Sequence, residues 1–141
     1  MRIAQKFVFV TMLLLACFVS PAFAQGNMGA GRLYNPNTET TAKGTVEKVS
    51  EIAGRGNWNG IHLNLQADGQ TYDVHVGPSY YLSTSDFTFS VGDQIEVTGS
   101  KITLNSADAL IAREIKKDDK VLTLRNHQGV PSWSRGRLRA N

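Results

Sequence analysis

The sequence predicts a small all-β domain, a barrel of five or six short strands, and three observations lead to this fold class. Apolar and polar residues alternate in several runs of about four to eight residues, the period of a half-buried strand. Glycine, aspartate and asparagine separate these runs, as they do at turns between strands. The sequence has no internal repeat and no long amphipathic helix, and we expect one short helix between the third and fourth strands.

The chain begins with the features of an exported protein. Arg2 and Lys6 precede an uncharged apolar run from Phe7 to Val19, and Ala22-Phe23-Ala24 supplies the small residues that a signal peptidase requires. We therefore predict that residues 1–24 are a signal peptide and that the remainder is periplasmic or secreted. The apolar run is too short to span a membrane comfortably, so no transmembrane segment is expected once the signal is removed.

Cys17 allows a second interpretation of this segment. Leu14-Leu15-Ala16-Cys17 resembles a lipobox, in which the cysteine would be lipidated and become the first residue. Leucine directly before the small residue is unusual there, and the apolar run continues past the cysteine, which favours ordinary cleavage. Cys17 is the only cysteine, so cleavage after residue 24 leaves a domain without a disulfide, a thiolate metal site or a cysteine nucleophile.

The charge balance and the missing motifs exclude several classes of protein. Two of the 15 lysines and arginines, Arg2 and Lys6, belong to the predicted signal, so the 13 that remain are nearly balanced by 12 acidic residues. The basicity of the whole chain is therefore partly a feature of export, which argues against a nucleic-acid partner. The sequence has no Gly-x-Ser-x-Gly, no His-Glu-x-x-His and no phosphate-binding loop, so an enzyme is not expected.

Composition divides the exported part into three segments. Residues 25–40 are rich in glycine, asparagine and threonine and lack apolar periodicity, which predicts a flexible leader. Alternation begins at Thr41, so we predict a barrel domain over residues 41–125. Residues 126–141 form a C-terminal extension that contains Trp133 and a basic tail. The tail could contact an anionic membrane surface or an acidic partner, or form a solvated terminus. Its arginines are Arg135, Arg137 and Arg139.

The first strand is predicted from Thr41 to about Ala53, with Gly44 marking a bend or a bulge. The next segment, Gly54 to Gly60, has three glycines in seven residues and contains Trp58. This composition predicts a mobile loop with an exposed indole, the kind of loop that often contacts ligands.

A β-hairpin is the clearest element of the sequence. Ile61–Ala67 and Gln70–Val76 both alternate, and Asp68-Gly69 joins them as the dipeptide that a two-residue type I′ turn favours. This turn fixes the register and therefore the two faces of the hairpin. The predicted core face pairs Leu65 with Tyr72, Leu63 with Val74 and Ile61 with Val76. The predicted outer face pairs Gln66 with Thr71, Asn64 with Asp73 and His62 with His75.

Gly77-Pro78 is predicted to end the third strand and to start a short helix through about Tyr81 or Leu82, because proline is tolerated in the first helical turn. Apolar side chains in and after this helix are expected to plug one end of the barrel. They are Tyr80, Tyr81, Leu82, Phe87 and Phe89. The later strands are predicted at Gln94–Thr98, Ala109–Lys116 and Val121–Arg125, with turns at Asn105–Asp108 and Asp118-Asp119.

Two of these strands resemble those of a known fold. Ala42-Lys43-Gly44-Thr45-Val46-Glu47-Lys48-Val49 resembles the opening strand of OB-fold domains, and Val91-Gly92-Asp93-Gln94-Ile95-Glu96-Val97-Thr98-Gly99-Ser100 resembles their fourth strand. The resemblance covers roughly residues 41–125 and is greatest to small exported OB-fold proteins of Gram-negative bacteria, many of unknown function. It implies a binding module that uses the face of strands two and three and the loops after strands one and four. It transfers no catalytic residue. In this chain the implied surface comprises Trp58, His62, Asn64, Asp73, His75 and the turn at Asn105–Asp108.

The sharpest local hypothesis is a metal site at His62, Asp73 and His75. The predicted register places the three on one face, and directly opposed Cβ atoms lie about 4.5–5.5 Å apart, close enough for both imidazoles to share an ion. Two imidazoles and a carboxylate are suitable ligands for a transition metal. The alternative is an ordinary polar face of a half-exposed sheet.

The sequence thus predicts a non-catalytic binding or accessory module of the cell envelope. We expect its partner to be a small ligand, a glycan or an envelope protein, bound through Trp58 and the outer face of the hairpin. A periplasmic metal-binding protein that uses His62 and His75 is the alternative, and apart from that metal no cofactor is expected. Binding of single-stranded nucleic acid, a further alternative, requires stacking aromatic and basic residues that this face lacks.

Overall fold

A single sheet of six strands curls on itself in the computed structural model, which describes residues 30–54, 56 and 58–134. The strands are β1 (Glu39–Ala53), β2 (Asn59–Ala67), β3 (Gln70–Pro78), β4 (Gln94–Leu104), β5 (Ala107–Lys117) and β6 (Lys120–Thr123). The helix α1 (Ser79–Leu82) follows β3, and the order across the sheet is β3-β2-β1-β4-β5-β6. The predicted fold class, a small OB-like barrel with a short helix between the third and fourth strands, is confirmed.

Pairing between β3 and β5 closes the first five strands into a barrel. This seam is parallel and has three register positions, in which Asp73, Val74 and His75 face residues 109–111. The same edge of β5 then pairs with β6, from Glu114 to Lys117. One edge of β5 therefore pairs first with β3 and then with β6, and β6 lies outside the closed barrel.

The hairpin of β2 and β3 forms as the sequence predicts, with one exception. Asp68 and Gly69 have φ values of 52° and 75°, the positive angles of a type I′ turn. The predicted pairs all occur except the last, because Ile61 lies opposite Gly77 and not opposite Val76. A bulge between Ile61 and His62 causes this shift, and a bulge increases the local twist of the ribbon where it reaches the barrel end.

Gly44 is not the bulge of β1. The irregularity falls between Val46 and Lys48, where Val46 bonds through its N–H and C=O to Asp93 and Gly92. Gly44 is needed for close packing, because a Cβ at this position would lie 2.0 Å from the carbonyl oxygen of Gln66. Gly44 and the irregularity in β1 are therefore separate features of the strand.

The predicted leader is ordered in its described part. Two 3₁₀ turns, Ala30–Leu33 and Pro36–Thr38, precede β1, which begins at Glu39 and not at Thr41. The backbone N–H of Asn35 and the hydroxyl of Thr38 both lie within hydrogen-bond distance of the buried Ser100 Oγ, at 3.0 and 2.9 Å. Polar anchoring of this kind produces no apolar periodicity, which explains why the sequence pattern missed it. Residues 25–29 lie outside the described part of the chain.

Several predicted boundaries also change. Pro78 ends β3 and caps α1, so it precedes the helix. β4 continues beyond Thr98 to Leu104, and the turn after it is only Asn105-Ser106, whose φ values are 49° and 64°. β6 ends at Thr123.

The core fills the barrel and its plugged end. Its largest fully buried apolar side chains are Val46, Leu63, Leu65, Val74, Val76, Ile95, Val97, Leu110, Ile111, Ile115 and Leu124. Leu82 and Phe87 are buried at the end of the barrel, and Tyr81 and Phe89 pack against them. Tyr80, which was predicted to fill the barrel end with them, is instead exposed and packs edge-on against Trp58.

The C-terminal extension folds back on the barrel over its described part. The N–H of Ser132 donates to the carbonyl of Leu124, and Arg125 forms a β-bridge with Pro131. This loop ends in a 3₁₀ turn, Ser132–Ser134, that carries Trp133. The predicted signal peptide, Cys17 and the arginines Arg135, Arg137 and Arg139 lie outside the described residues. No helix in the described part is long and apolar enough to cross a bilayer.

Candidate metal and ligand site

Asp73 lies between two imidazoles on the outer face of the hairpin. Its Oδ1 is 3.0 Å from His62 Nδ1, and its Oδ2 is 3.1 Å from His75 Nε2. The two imidazole rings lie 4.1 Å apart between centroids and are tilted by 54°. The predicted register brings these three side chains together because His62 and His75 face each other directly across the two strands.

The three groups have the dimensions of a metal site. One potential ligand atom from each lies within 4.8 Å of the others. In a tetrahedral complex with bonds of about 2.1 Å, ligand atoms are about 3.4 Å apart, close to the nitrogen–oxygen distances observed here. The imidazoles are 18% and 15% exposed and the carboxylate is 44% exposed, so the cluster is most open to solvent at Asp73.

The charge state of the cluster suits a cation. The hydrogen bond from His62 and the contact with His75 hold the pKa of Asp73 well below its usual range, so its carboxylate is ionised at neutral pH. His75 Nε2 is enclosed and, despite its proximity to Asp73, makes no hydrogen bond of good geometry in the described structure. A buried nitrogen without a hydrogen-bond partner is costly, and a bound metal ion would satisfy it.

The cluster opens into a groove of about 490 Å³. Both tryptophans of the chain and two arginines line the groove. The complete lining is Arg32, Trp58, Gly60, Ile61, His62, His75, Val76, Gly77, Arg125, Pro131 and Trp133.

The sequence-predicted binding residues divide into two groups. His62, His75 and Trp58 line the groove, and Asp73 joins the two histidines. Asn64 lies opposite Asp73 in the register but does not line the groove. The turn after β4, at Asn105-Ser106, does not line it either.

Sequence reasoning missed Arg125 and Trp133 as site residues. The guanidinium of Arg125 lies against the indole of Trp133, with Cζ 4.9 Å from the ring centroid. Gly77 makes room for this indole, because a Cβ there would lie 2.8 Å from its Cη2 atom. Gly77, a glycine inside a strand, is a sequence signal of close packing. No local pattern identifies Trp133 as its partner, because the two residues are more than fifty positions apart.

A family model, that of the MamS/MamX magnetosome protein family, matches residues 38–122 of this chain. The matched region contains all six strands except the last residue of β6, and it includes His62, Asp73 and His75. No curated protein sequence matches the chain.

Two solved structures are similar to the barrel at low identity. The N-terminal domain of the PriB protein from Thermoanaerobacter tencongensis is 13% identical with a TM-score of 0.44, and the match covers 60% of this chain and 99% of that one. The mitochondrial single-stranded DNA binding protein Rim1 from S. cerevisiae is 16% identical with a TM-score of 0.39, covering 64% of this chain and 96% of that one. Neither likeness bears on the ligand of this chain.

Proposed function

This chain belongs to the MamS/MamX magnetosome protein family, and we propose that it is a non-catalytic accessory module that binds a transition-metal ion. The observation that carries the proposal is the placement of one carboxylate between two imidazoles, with His62 Nδ1 and His75 Nε2 facing different oxygens of Asp73. This arrangement favours the metal-binding alternative over an ordinary polar sheet face.

The ligand set indicates the class of ion. Two histidines and one carboxylate leave coordination positions open, and such sets hold Zn²⁺ or Fe²⁺ in proteins, while imidazoles also suit Cu²⁺ and Ni²⁺. The open positions would be filled by water or by a small ligand from the groove. The predicted signal peptide supports an exported location for the module, periplasmic or secreted.

The lining of the groove supports a binding role. Its polar groups are arginines and histidines, which bind anions or metal ions.

Metal titration of the purified protein tests this proposal. Zn²⁺, Cu²⁺, Ni²⁺ and, without oxygen, Fe²⁺ are added while histidine resonances are followed by NMR, and calorimetry gives the stoichiometry. We expect at least one of these ions to bind one-to-one and to shift the resonances of His62 and His75. His62→Ala, His75→Ala and Asp73→Asn should each weaken binding by at least about tenfold.

His127 provides the matched control, because it is the remaining histidine of the chain and is exposed away from the cluster. His127→Ala should bind metal like the unmodified protein. The proposal is wrong if none of the four ions forms a one-to-one complex, or if His62→Ala and His75→Ala, shown to be folded by circular dichroism, bind with unchanged affinity.

A further inference from the structure

Arg125 is a buried cation whose hydrogen bonds are only partly satisfied. The residue is 4% exposed, and its Nη1 donates to the carbonyl oxygens of Val76, at 3.2 Å, and of Ala112. These two carbonyls lie just beyond His75 and Ile111, the last register position of the seam between β3 and β5. Nη1 therefore links β3 to β5 at the point where the backbone pairing between these two strands ends.

The other edge of the same guanidinium has no acceptor. Nε is enclosed and has no hydrogen-bond partner in the described structure, and no hydrogen bond from Nη2 occurs among the described residues. The Nε–Nη2 edge carries two parallel N–H groups, the pair that binds a carboxylate or a phosphate through two hydrogen bonds. Nη1 of Arg125 thus links two strands of the barrel, whereas the Nε–Nη2 edge, which is suited to an oxyanion, makes no hydrogen bond in the described structure.

The charge of Arg125 is not neutralised by the described part of the chain. None of its described neighbours is an acidic group in ion-pair contact, and burial lowers the pKa of Arg125 to about 10. Removing a cation from water without a counter-ion is costly. Two carbonyls and the face of an indole offset only part of this cost.

Arg125 also lines the groove, together with the exposed Arg32 and with Trp133, whose indole lies over the guanidinium. An anion in the groove would meet two positive charges, and Asp73 is directed to the histidines. Nε is enclosed, so an oxygen reaches this edge only after a local movement, which we assign to Trp133 because its indole lies over the guanidinium. Trp133 lies in the short 3₁₀ turn Ser132–Ser134 and packs against Tyr81 and Gly77, so this movement breaks those two contacts.

We propose that the groove contains an anion site, separate from the metal cluster, in which the Nε–Nη2 edge of Arg125 binds the oxygens of a carboxylate or a phosphate group. Arg32 adds charge at the mouth of the groove, and Trp133 covers the bound group. The alternative is that Arg125 is purely a structural brace, with Nη1 as its only functional atom.

Anion titration of the metal-free protein distinguishes these two roles. Inorganic phosphate and succinate are added separately at constant ionic strength, with chloride as the reference. Trp58→Phe leaves Trp133 as the only tryptophan, so its fluorescence reports on the indole, and NMR follows the Nε–H resonance of Arg125. We expect saturable changes in both signals with phosphate, with succinate, or with both, and the comparison identifies the class of oxyanion.

Three variants locate the site. Arg125→Lys keeps a cation near the two seam carbonyls but removes the two-pronged edge, and should weaken binding by about tenfold. Arg32→Gln removes the charge at the mouth of the groove and should weaken it by about threefold. Lys43→Gln removes one charge from the exposed face of β1, outside the groove, and should leave the affinity unchanged.

The anion site is wrong if phosphate and succinate leave both the Trp133 fluorescence and the Arg125 Nε–H resonance unchanged. It is also wrong if a folded Arg125→Lys binds as tightly as the parent protein. If Arg125→Lys does not fold, the Nε–H resonance of the parent protein and the affinity of Arg32→Gln decide the question. Because the titration contains no metal, its outcome is independent of the metal titration.

Discussion

Arg113 and Glu39 fasten the start of β1 to the middle of β5. Nε and Nη2 of Arg113 donate to the two carboxylate oxygens of Glu39, both at 2.9 Å, and the hydroxyl of Tyr34 donates to the same carboxylate. The arginine and the glutamate are largely shielded from solvent. A two-pronged, charge-assisted pair in such surroundings is stronger than an exposed ion pair.

Glu39→Gln should destabilise the protein by about 1–3 kcal/mol, because it removes the bidentate partner of Arg113 and leaves only the longer contact with Glu114, at 3.8 Å. Urea unfolding at neutral pH measures this loss. Glu47→Gln is the control, since Glu47 is exposed on the same strand, and its effect should stay within about 0.5 kcal/mol. Equal effects of the two substitutions would contradict the stabilising role of the pair.

The same pair makes stability depend on pH. The hydrogen bonds from Arg113 lower the pKa of Glu39 below its ordinary value of 4.5, and Lys117 lowers that of Asp93 in the same direction. A carboxyl group with a lowered folded-state pKa stabilises the fold above its unfolded-state pKa, and this contribution disappears as the pH falls through the folded-state pKa. We expect the free energy of unfolding to fall as the pH drops below about 4.5. Glu39→Gln should show a smaller fall, and an identical pH profile for both proteins would contradict this assignment.

At the level of single residues, the sequence identified the cluster but not its surroundings. His62, Asp73 and His75 follow from a two-residue turn and strict alternation, which are local properties. Arg125 and Trp133 reach the groove through a backbone bridge to Pro131 and through a seam between distant strands. Tertiary packing of this kind leaves no periodic signal in the sequence.

The hairpin of β2 and β3 depends on one glycine. Gly69 has a φ of 75° with open space around it, so a larger residue is disfavoured there by backbone strain and not by a clash. Gly69→Val should cost about 1–2 kcal/mol, whereas Gly69→Asn should cost less, because asparagine tolerates this conformation. Urea unfolding of the two variants compares them directly. Equal destabilisation by valine and asparagine would contradict the assigned turn type.

The strand that the sequence predicted least well is β4. The predicted strand ends at Thr98, whereas β4 continues to Leu104. In the structure Gly99 lets the carbonyl of Ile111 approach, since a Cβ there would lie 2.2 Å from that oxygen. Ser100 is fully buried and lies within hydrogen-bond distance of the segment before β1. Turn-forming residues at this point serve close packing between strands, a role that composition cannot distinguish from a turn.

For the molecule as a whole, the core includes a residue from the chain beyond β6. Leu124 is fully buried, and its N–H donates to the carbonyl of Arg113 at 2.7 Å, between the parts of β5 that pair with β3 and with β6. Leu124→Ala should lower the free energy of unfolding by about 2–5 kcal/mol, measured by urea. Val121→Ala, at an exposed position of β6, should change it by no more than about 0.5 kcal/mol. Comparable losses in both variants would show that Leu124 is not part of the core.

The late position of the closing residues has a consequence for the nascent chain. Synthesis produces β1, β2 and β3 well before the strand that pairs with the outer edge of β3, because β5 begins at Ala107. Until then that edge has unpaired backbone groups and can template pairing with a strand of another molecule. Protection of the β3 edge by a chaperone, or a delay of folding until the ribosome releases the whole chain, would therefore matter most while the barrel is incomplete.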